Sequence, residues 1–193
     1  MILCSKMTRM AEDKRTRLIQ AAAELSHVRG LGKISLADIA QGAEVPLGNV
    51  YYYFKTKAAI GEAVVAQRAS ELQKMQSLCE TAPSARARLK MFIQMTLDNR
   101  DVLARAGCPV GSLCAELSKD PELAVDEAAV PLRNLLLWFE AQFGALGREK
   151  ERRTLALHLL AVLQGVSLLA NCFHDPNVVM REAKYLKTWV DEL

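Results

Sequence analysis

The sequence has few aromatic residues and no long apolar run. Aromatic residues make up 6% of the 193 residues, and histidine occurs only three times. The longest apolar runs, 135–139 and 159–163, are far shorter than the ~18 residues of a membrane-spanning helix. We therefore predict no membrane segment, and the 51% hydrophobic content is enough for the core of a soluble protein.

The number and spacing of the cysteines do not fit a disulfide scaffold. An odd number of cysteines in a long chain indicates reduced thiols in a reducing compartment. Residues 1–17 contain no apolar stretch before a small-residue cleavage site, so we predict no secretory signal and a cytoplasmic location. The five cysteines are Cys4, Cys79, Cys108, Cys114 and Cys172.

Motifs for catalysis and for metal binding are also missing. The sequence has no glycine-rich phosphate loop, no nucleophile elbow and no convincing pair of catalytic carboxylates. His27 and His158 are isolated, and Cys172 with His174 lacks a second ligand pair at zinc-site spacing. We predict no catalytic residue, no cofactor and no metal site.

The net charge of +3 is unevenly distributed. Residues 1–60 carry a charge of +4, and residues 61–193 carry −1. A basic N-terminal region is compatible with a polyanionic partner, although an ordinary solvated surface explains this excess about as well. Charge alone therefore does not assign a partner.

Hydrophobic periodicity is helical almost throughout, so the predicted fold class is all-α. We expect an N-terminal arm at 1–12, a three-helix domain at 13–60, and a larger helical region at 61–193 that is reached through a long connector helix. The predicted helices cover 13–29, 35–42, 46–54, 57–78, 85–105, 110–118, 122–146, 149–173 and 177–191. The apolar stripe predicted for the first helix is Leu18, Ala22, Leu25 and Val28.

Helix-start signals support the N-terminal helices. Ser35 is placed to cap the second helix, and Asp38 can complete the capping box as a shorter substitute for Glu. Pro46 suits a helix start, where its missing N–H costs nothing, and Thr56 can cap the fourth helix. Two short helices behind a longer one match a helix-turn-helix.

The third helix has two distinct faces on a helical wheel. Its apolar face is predicted to pack on the first two helices, whereas the opposite face offers a bare backbone position and hydrogen-bonding side chains. An eight-residue helix is ~12 Å long, which is comparable with the width of the DNA major groove. The inward residues are Leu47, Val50, Tyr53 and Phe54, and the outward ones are Gly48, Asn49, Tyr51 and Tyr52.

Residues 45–57, with three tyrosines and a phenylalanine followed by lysine, resemble the DNA-binding domain of the tetracycline-repressor (TetR) family, as do residues 35–40 before them. The resemblance covers about residues 12–60. It implies a homodimer whose recognition helices enter successive major grooves of a palindromic double-stranded operator. It also implies a helical C-terminal region that binds a small-molecule effector.

The resemblance assigns DNA contacts to particular residues and also shows two departures. Glu44 replaces the usual glycine, so this turn residue is expected at a positive φ that costs ~1–2 kcal/mol. Pro46 stands where the family often has serine, so one hydroxyl contact is missing and the operator sequence cannot be transferred. The implied DNA-binding residues are Ser35, Pro46, Gly48, Asn49, Tyr51, Tyr52 and Lys57.

The segment 155–173 is apolar nearly all the way round, which a soluble helix tolerates only when it is covered on two or more sides. The resemblance implies a four-helix bundle formed by the last two helices of two copies. A core helix of a monomer is the alternative. The candidate interface residues are Leu163, Val166, Ala170, Leu186 and Trp189.

An effector pocket is expected between the middle helices, although residues of these types are usually core residues. We predict a repressor that a small-molecule effector releases from its operator. The alternative is an electrophile or redox sensor acting through Cys108. The thiolate form of Cys108 is favoured by the helix start at Pro109 and by Arg105, but a buried structural thiol beside a pocket is the favoured explanation of the position. The candidate pocket residues are Phe92, Met95, Cys108, Leu113, Trp138 and Phe139.

Overall fold

The computed structural model describes residues 2–119 and 127–193, with side chains from Lys14 onward. Within these residues every regular element is a helix, so the predicted all-α class is confirmed. The helices are α1 (Ile2–Arg29), α2 (Leu36–Gly42), α3 (Leu47–Tyr53), α4 (Lys57–Cys79), α5 (Ala85–Asp98), α6 (Arg100–Ala106), α7 (Pro109–Leu117), α8 (Val130–Ala145), α9 (Arg152–Phe173) and α10 (Asn177–Glu192).

The chain forms two compact units. Unit 1 comprises residues 1–68 and 112–128, and unit 2 comprises residues 69–111 and 129–193. The segment 112–128 falls in unit 1 because Leu113, Leu117 and Ala128 are buried in its core. Helices α4 and α7 each contribute residues to both units, so the division differs from the predicted ranges 13–60 and 61–193.

Helix α1 begins earlier than the sequence suggests. Residues 2–12, predicted as an arm, continue the helix backbone because no glycine or proline interrupts Ile2–Arg29. The predicted stripe holds at Leu18 and Ala22, which are fully buried, but it is wrong at Val28, whose side chain is 63% exposed. Val28 lies about 80° round the helix from Leu18, outside the covered face.

Two predicted helices in the second half of the chain have different bounds. The helix predicted at 85–105 is divided into α5 and α6 at Asn99, whose side-chain amide donates to the Met95 carbonyl at 2.8 Å. The helix predicted at 122–146 begins at Val130, because Pro131 fits only the first turn of a helix. Residues 122–126 of that prediction lie outside the described residues.

The core of unit 1 holds the short helices in place. Val50 of α3 and Ile39 of α2 are at most 1% exposed, and they join Leu18 of α1 and Ile60 of α4 in one apolar cluster. Helices of seven residues are marginal in isolation, so this packing stabilises α2 and α3.

The predicted capping box of α2 is present. The Ser35 hydroxyl accepts from the Asp38 N–H at 3.1 Å, and the Asp38 carboxylate accepts from the Ser35 N–H at 2.7 Å. Arg29 at the end of α1 lies 3.4 Å from the same carboxylate. Hydrogen bonds from Ser35, with a smaller contribution from Arg29, lower the pKa of Asp38 from 3.8 to about 2.

This shift predicts a pH-dependent contribution of Asp38 to stability. Because the folded-state pKa lies below the unfolded value, the contribution is complete above the unfolded value and is lost as the pH falls through about 2. Asp38→Asn keeps an acceptor oxygen but cannot titrate. Thermal unfolding followed by circular dichroism should show the parent more stable at neutral pH, with the difference shrinking as the pH falls toward about 2. A constant difference across this range would contradict the assignment.

Candidate nucleic-acid interface

The turn between α2 and α3 is built around a non-glycine residue in the left-handed region. Glu44 has φ 53°, which confirms the predicted positive φ. Its N–H donates to the Gln41 carbonyl at 3.0 Å, and its own carbonyl accepts from the Arg17 guanidinium at 3.1 Å. The same guanidinium lies 3.6 Å from the Glu44 carboxylate. Arg17 of α1 therefore holds a turn whose conformation costs about 1–2 kcal/mol.

Helix α3 presents one face to the core and the other to solvent. Val50 and Phe54 are buried, and Tyr53 packs half-buried against the same cluster. Tyr51 and Tyr52 are 54% and 72% exposed. The predicted division into two faces is therefore confirmed for these residues.

Leu47 departs from the predicted inward face, since its side chain is 42% exposed. As the first residue of α3 it lies at the open end of the helix, where no preceding turn covers it. A Cβ atom built on Gly48 meets no heavy atom within 4 Å, so another molecule can approach the backbone here. Asn49 is half-buried, and the Tyr52 ring is held edge-on against Tyr53 with centroids 4.9 Å apart.

Cationic side chains lie beside α3. The hydroxyl of Thr56 caps α4 by accepting from the Ala59 N–H at 3.1 Å, and Lys57 opens the helix. The Lys57 ammonium donates to the Gly32 carbonyl at 2.7 Å, which leaves two of its three N–H donors for an anion. Lys33 and Lys55 are both exposed but were not among the predicted DNA-binding residues. The motif at 45–57 includes Lys55, whereas the basic excess of residues 1–60 was the only signal for Lys33.

Comparison with known proteins gives one family for this region. Residues 18–64 match the family model described as bacterial regulatory proteins, tetR family. The chain is 31% identical over 123 residues to the HTH-type transcriptional repressor NemR of Escherichia coli, which covers 61% of this chain and 62% of NemR. It is 28% identical over 166 residues to the repressor DhaR of Mycobacterium sp., covering 80% of each chain.

The whole chain also shares its fold with solved structures. A regulator from Agrobacterium tumefaciens, described as TetR family, superimposes with a TM-score of 0.81 at 19% identity, covering 92% of this chain and 97% of that one. The reduced form of E. coli NemR gives 0.75 at 24% identity, covering 91% and 97%. Residues 18–64 are therefore similar to the DNA-binding domain of the tetR family, and the chain has the fold of these solved structures.

Besides Lys57, two of the predicted DNA-binding residues have structural roles as well. The Ser35 hydroxyl donates to the Asp38 carboxylate at 2.6 Å and accepts from the Asp38 N–H, so the α2 cap already engages it. Pro46 is the exposed N-cap residue of α3. Contacts of Ser35 and Pro46 with DNA stay predictions.

The predicted pocket residues are divided between the cores of the two units. Phe92, Trp138 and Phe139 pack against one another in unit 2, with ring centroids 5.1–5.7 Å apart. Met95 accepts a sulfur contact of 3.8 Å from the Cys79 thiol, whereas Leu113 is buried in unit 1. Two surface grooves of unit 2, one of about 530 Å³ near Ser84 and one of about 320 Å³ near His174, are lined by other residues. The effector site stays a prediction.

The predicted interface residues of α9 and α10 face inward. Leu163, Val166, Ala170 and Leu186 are all buried within unit 2 of a single chain. Trp189 is half-buried between Phe143 and His158. The four buried residues therefore do not form the exposed contact surface expected from the sequence, because an apolar helix does not reveal which of its faces packs on its own chain. The interface role of Trp189 stays a prediction.

Other apolar residues of α9 face solvent. By length and composition this helix could cross a membrane, since an 18-residue window of it has a mean hydropathy of 1.8. Only 33% of this window is buried within the chain. Leu157, Leu168 and Phe173 are 54%, 62% and 63% exposed. We define the α9 stripe as Leu157, Ala161, Gly165, Leu168, Leu169, Cys172 and Phe173, which are half-buried at Gly165 and exposed elsewhere.

Cys108 lies at the helix start predicted for it. Its sulfur accepts from the Gly111 N–H at 3.3 Å, immediately before α7, and its side chain is half-buried. Cys79 is buried, and desolvation, assisted by the charge of Glu80, raises its pKa to about 11. Cys79 is therefore a poor nucleophile.

Proposed function

We propose that this chain is a DNA-binding transcriptional regulator, a repressor that acts as a homodimer on a palindromic operator and is released by a small-molecule effector. The observation that carries the proposal is the outward face of α3, where an uncovered Gly48 backbone lies among exposed tyrosines. The relatives NemR and DhaR are named as transcriptional repressors. The chain spans 62% of the length of NemR, so the activity of the whole protein is part of the proposal.

The chemistry of this face suits a duplex groove. Asn49 and Tyr52 can exchange hydrogen bonds with base edges, while Gly48 allows the helix backbone to come close to the groove floor. Tyr51, Lys57, Lys33 and Lys55 can contact phosphates on either side. The core packing of Val50 and Phe54 fixes the orientation of these groups.

The α9 stripe supports a second copy of the same chain as the partner that covers it. Its members recur every three or four residues, which places them along one side of the helix. A Cβ atom on Gly165 would meet nothing within 4 Å, so a second helix can approach closely there. A dimer also matches the two half-sites of an operator, whose centres are ~34–36 Å apart. Effector binding would then act by favouring a dimer geometry that does not fit this spacing.

The first prediction tests the DNA-binding face. Gly48→Glu places a carboxylate where the groove should lie, so binding to duplexes selected from a random library should be lost, while helicity and oligomeric state are kept. Ala66→Glu, at an exposed position of α4, adds the same charge and should bind like the parent. Fluorescence anisotropy at fixed salt measures both. Normal binding by the Gly48 variant would refute the role of α3.

The second prediction tests the dimer. Leu168→Glu places a charge in the centre of the α9 stripe and should give monomers in light scattering after gel filtration. Leu137→Glu is a matched control, because Leu137 is 57% exposed on α8, outside the stripe. The control should stay dimeric. If both variants remain dimers, the α9 stripe is not the interface.

A second candidate mechanism is supported by the N-cap position of Cys108. The Cys108 sulfur accepts from the Gly111 N–H at the start of α7, and as a thiolate it would attack an electrophilic carbon of a quinone. The new S–C bond would form as the quinone accepts the electron pair and then a proton. A solved structure of the relative NemR is described as its reduced form, which makes thiol chemistry worth testing here.

A quinone treatment separates this mechanism from reversible effector binding. The parent complex with DNA should dissociate and carry one adduct in a mass spectrum, whereas Cys108→Ser should stay bound. Cys114→Ser changes a half-buried thiol of the same helix and should respond like the parent. If Cys108→Ser is released as readily as the parent, reversible effector binding alone remains.

A further inference from the structure

A carboxylate from α7 binds the backbone at the end of α1. In Glu116, Oε2 accepts from the Leu31 N–H at 2.8 Å, and Oε1 accepts from the Gly32 N–H at 2.6 Å. Both oxygens are thus engaged by adjacent amides of the turn between α1 and α2. The contact joins residues that are 84 and 85 positions apart in the chain.

Gly30 makes room for this carboxylate. Its φ of +85° ends α1 in a left-handed conformation, and a Cβ atom there would lie 3.2 Å from Glu116 Oε1. The partial negative charge at the C-terminus of a helix repels a carboxylate. The direct hydrogen bonds from two N–H donors offset this repulsion and make the position of Glu116 favourable.

Lys57 binds the same turn through a backbone carbonyl, whereas Glu116 binds backbone N–H groups. Its ammonium donates to the Gly32 carbonyl at 2.7 Å, so both backbone polar groups of Gly32 are bound by charged side chains. Glu116 belongs to α7 and Lys57 is the first residue of α4. The turn at 30–32 therefore connects these two helices through hydrogen bonds to one residue.

The apolar neighbours of Glu116 keep it in place. Leu113 and Leu117 lie three positions before it and one after it, are 6% and 2% exposed, and pack in the unit 1 core with Leu31. Leu113 shares one side of the helix with both Glu116 and Leu117, which lie three and four positions after it. A shift of α7 thus moves the carboxylate and this apolar contact together.

We propose that Glu116 is a positioning residue that transmits the position of α7 to the DNA-binding helices through the turn at 30–32. This inference rests on the proposed DNA-binding function. The turn leads within three residues to Ser35, the N-cap of α2, and α2 packs on α3. With the Glu116 contact intact, α2 and α3 are held in the arrangement that fits the operator. When α7 moves, the two amides lose their acceptor and that arrangement loosens.

Glu116→Gln tests the contact while keeping the shape of the side chain. A glutamine offers one acceptor oxygen, and its amide nitrogen cannot accept from the second N–H. Native-state hydrogen exchange of Leu31 and Gly32 should accelerate by at least about tenfold, with faster exchange also in 46–54. Glu62→Gln, at an exposed position of α4, removes the same charge and should exchange like the parent.

Operator binding gives the second readout. Glu116→Gln should bind selected duplexes about tenfold more weakly without any effector, at unchanged helicity and oligomeric state, whereas Glu62→Gln should match the parent. Glu116→Asp, which withdraws the carboxylate by one methylene, should change both readouts in the same direction. This variant also serves if the glutamine variant fails to fold.

Three results would be decisive against parts of this account. Unchanged exchange at Leu31 and Gly32 overturns the contact itself. Faster exchange with unchanged operator affinity overturns the transmission to α3. If the parent selects no duplex at all, the proposed DNA-binding function fails. In that case, faster exchange in 46–54 still supports the link from Glu116 to α3, and unchanged exchange there refutes it.

Discussion

The packing of Val50 and Phe54 into the core of unit 1 is the constraint on which the exposed face of α3 depends. A helix of seven residues is not stable in isolation, so tertiary contacts supply most of its stability. Because 3.6 residues complete a turn, burying these two positions leaves Tyr51 and Tyr52 outside. The exposure of the two tyrosines is thus a geometric consequence of the buried apolar residues before and after them. A mutation at Val50 would disturb the outward face without touching it.

The local patterns of unit 1 could be predicted from the sequence, while the exposure of residues at its helix ends could not. Periodicity identifies the faces of α3, and the capping box at Ser35 and Asp38 follows from residue types three positions apart. The prediction from periodicity is wrong for Val28, in the last turn of α1, and for Leu47, in the first turn of α3. At a helix end, the position of a residue on the helical wheel no longer indicates whether its side chain is buried. Pro131 gives the true start of α8, but the apolar pattern of 122–146 outweighed it in the prediction.

Long-range contacts are beyond sequence patterns for a different reason. The sequence shows that α9 needs cover on two sides, but not that Leu163 and Val166 would pack within their own chain while Leu157 and Leu168 remain exposed. Likewise, nothing near Glu116 indicates that its carboxylate binds amides more than 80 residues earlier. Gly30 is the one local signal, since its positive φ is needed for both the helix end and the approach of the carboxylate.

The two turns that flank α2 are both held by side chains from neighbouring helices as well as by their own backbone hydrogen bonds. Arg17 of α1 donates to the carbonyl of Glu44. This hydrogen bond offsets the cost of the positive φ of Glu44, a conformation that glycine would adopt without cost. Glu116 and Lys57 bind the turn at the other end. Helix α2 therefore lies between two turns whose conformations depend on contacts with α1, α4 and α7. Since α3 packs on α2, the orientation of the exposed tyrosines depends on the positions of all three helices.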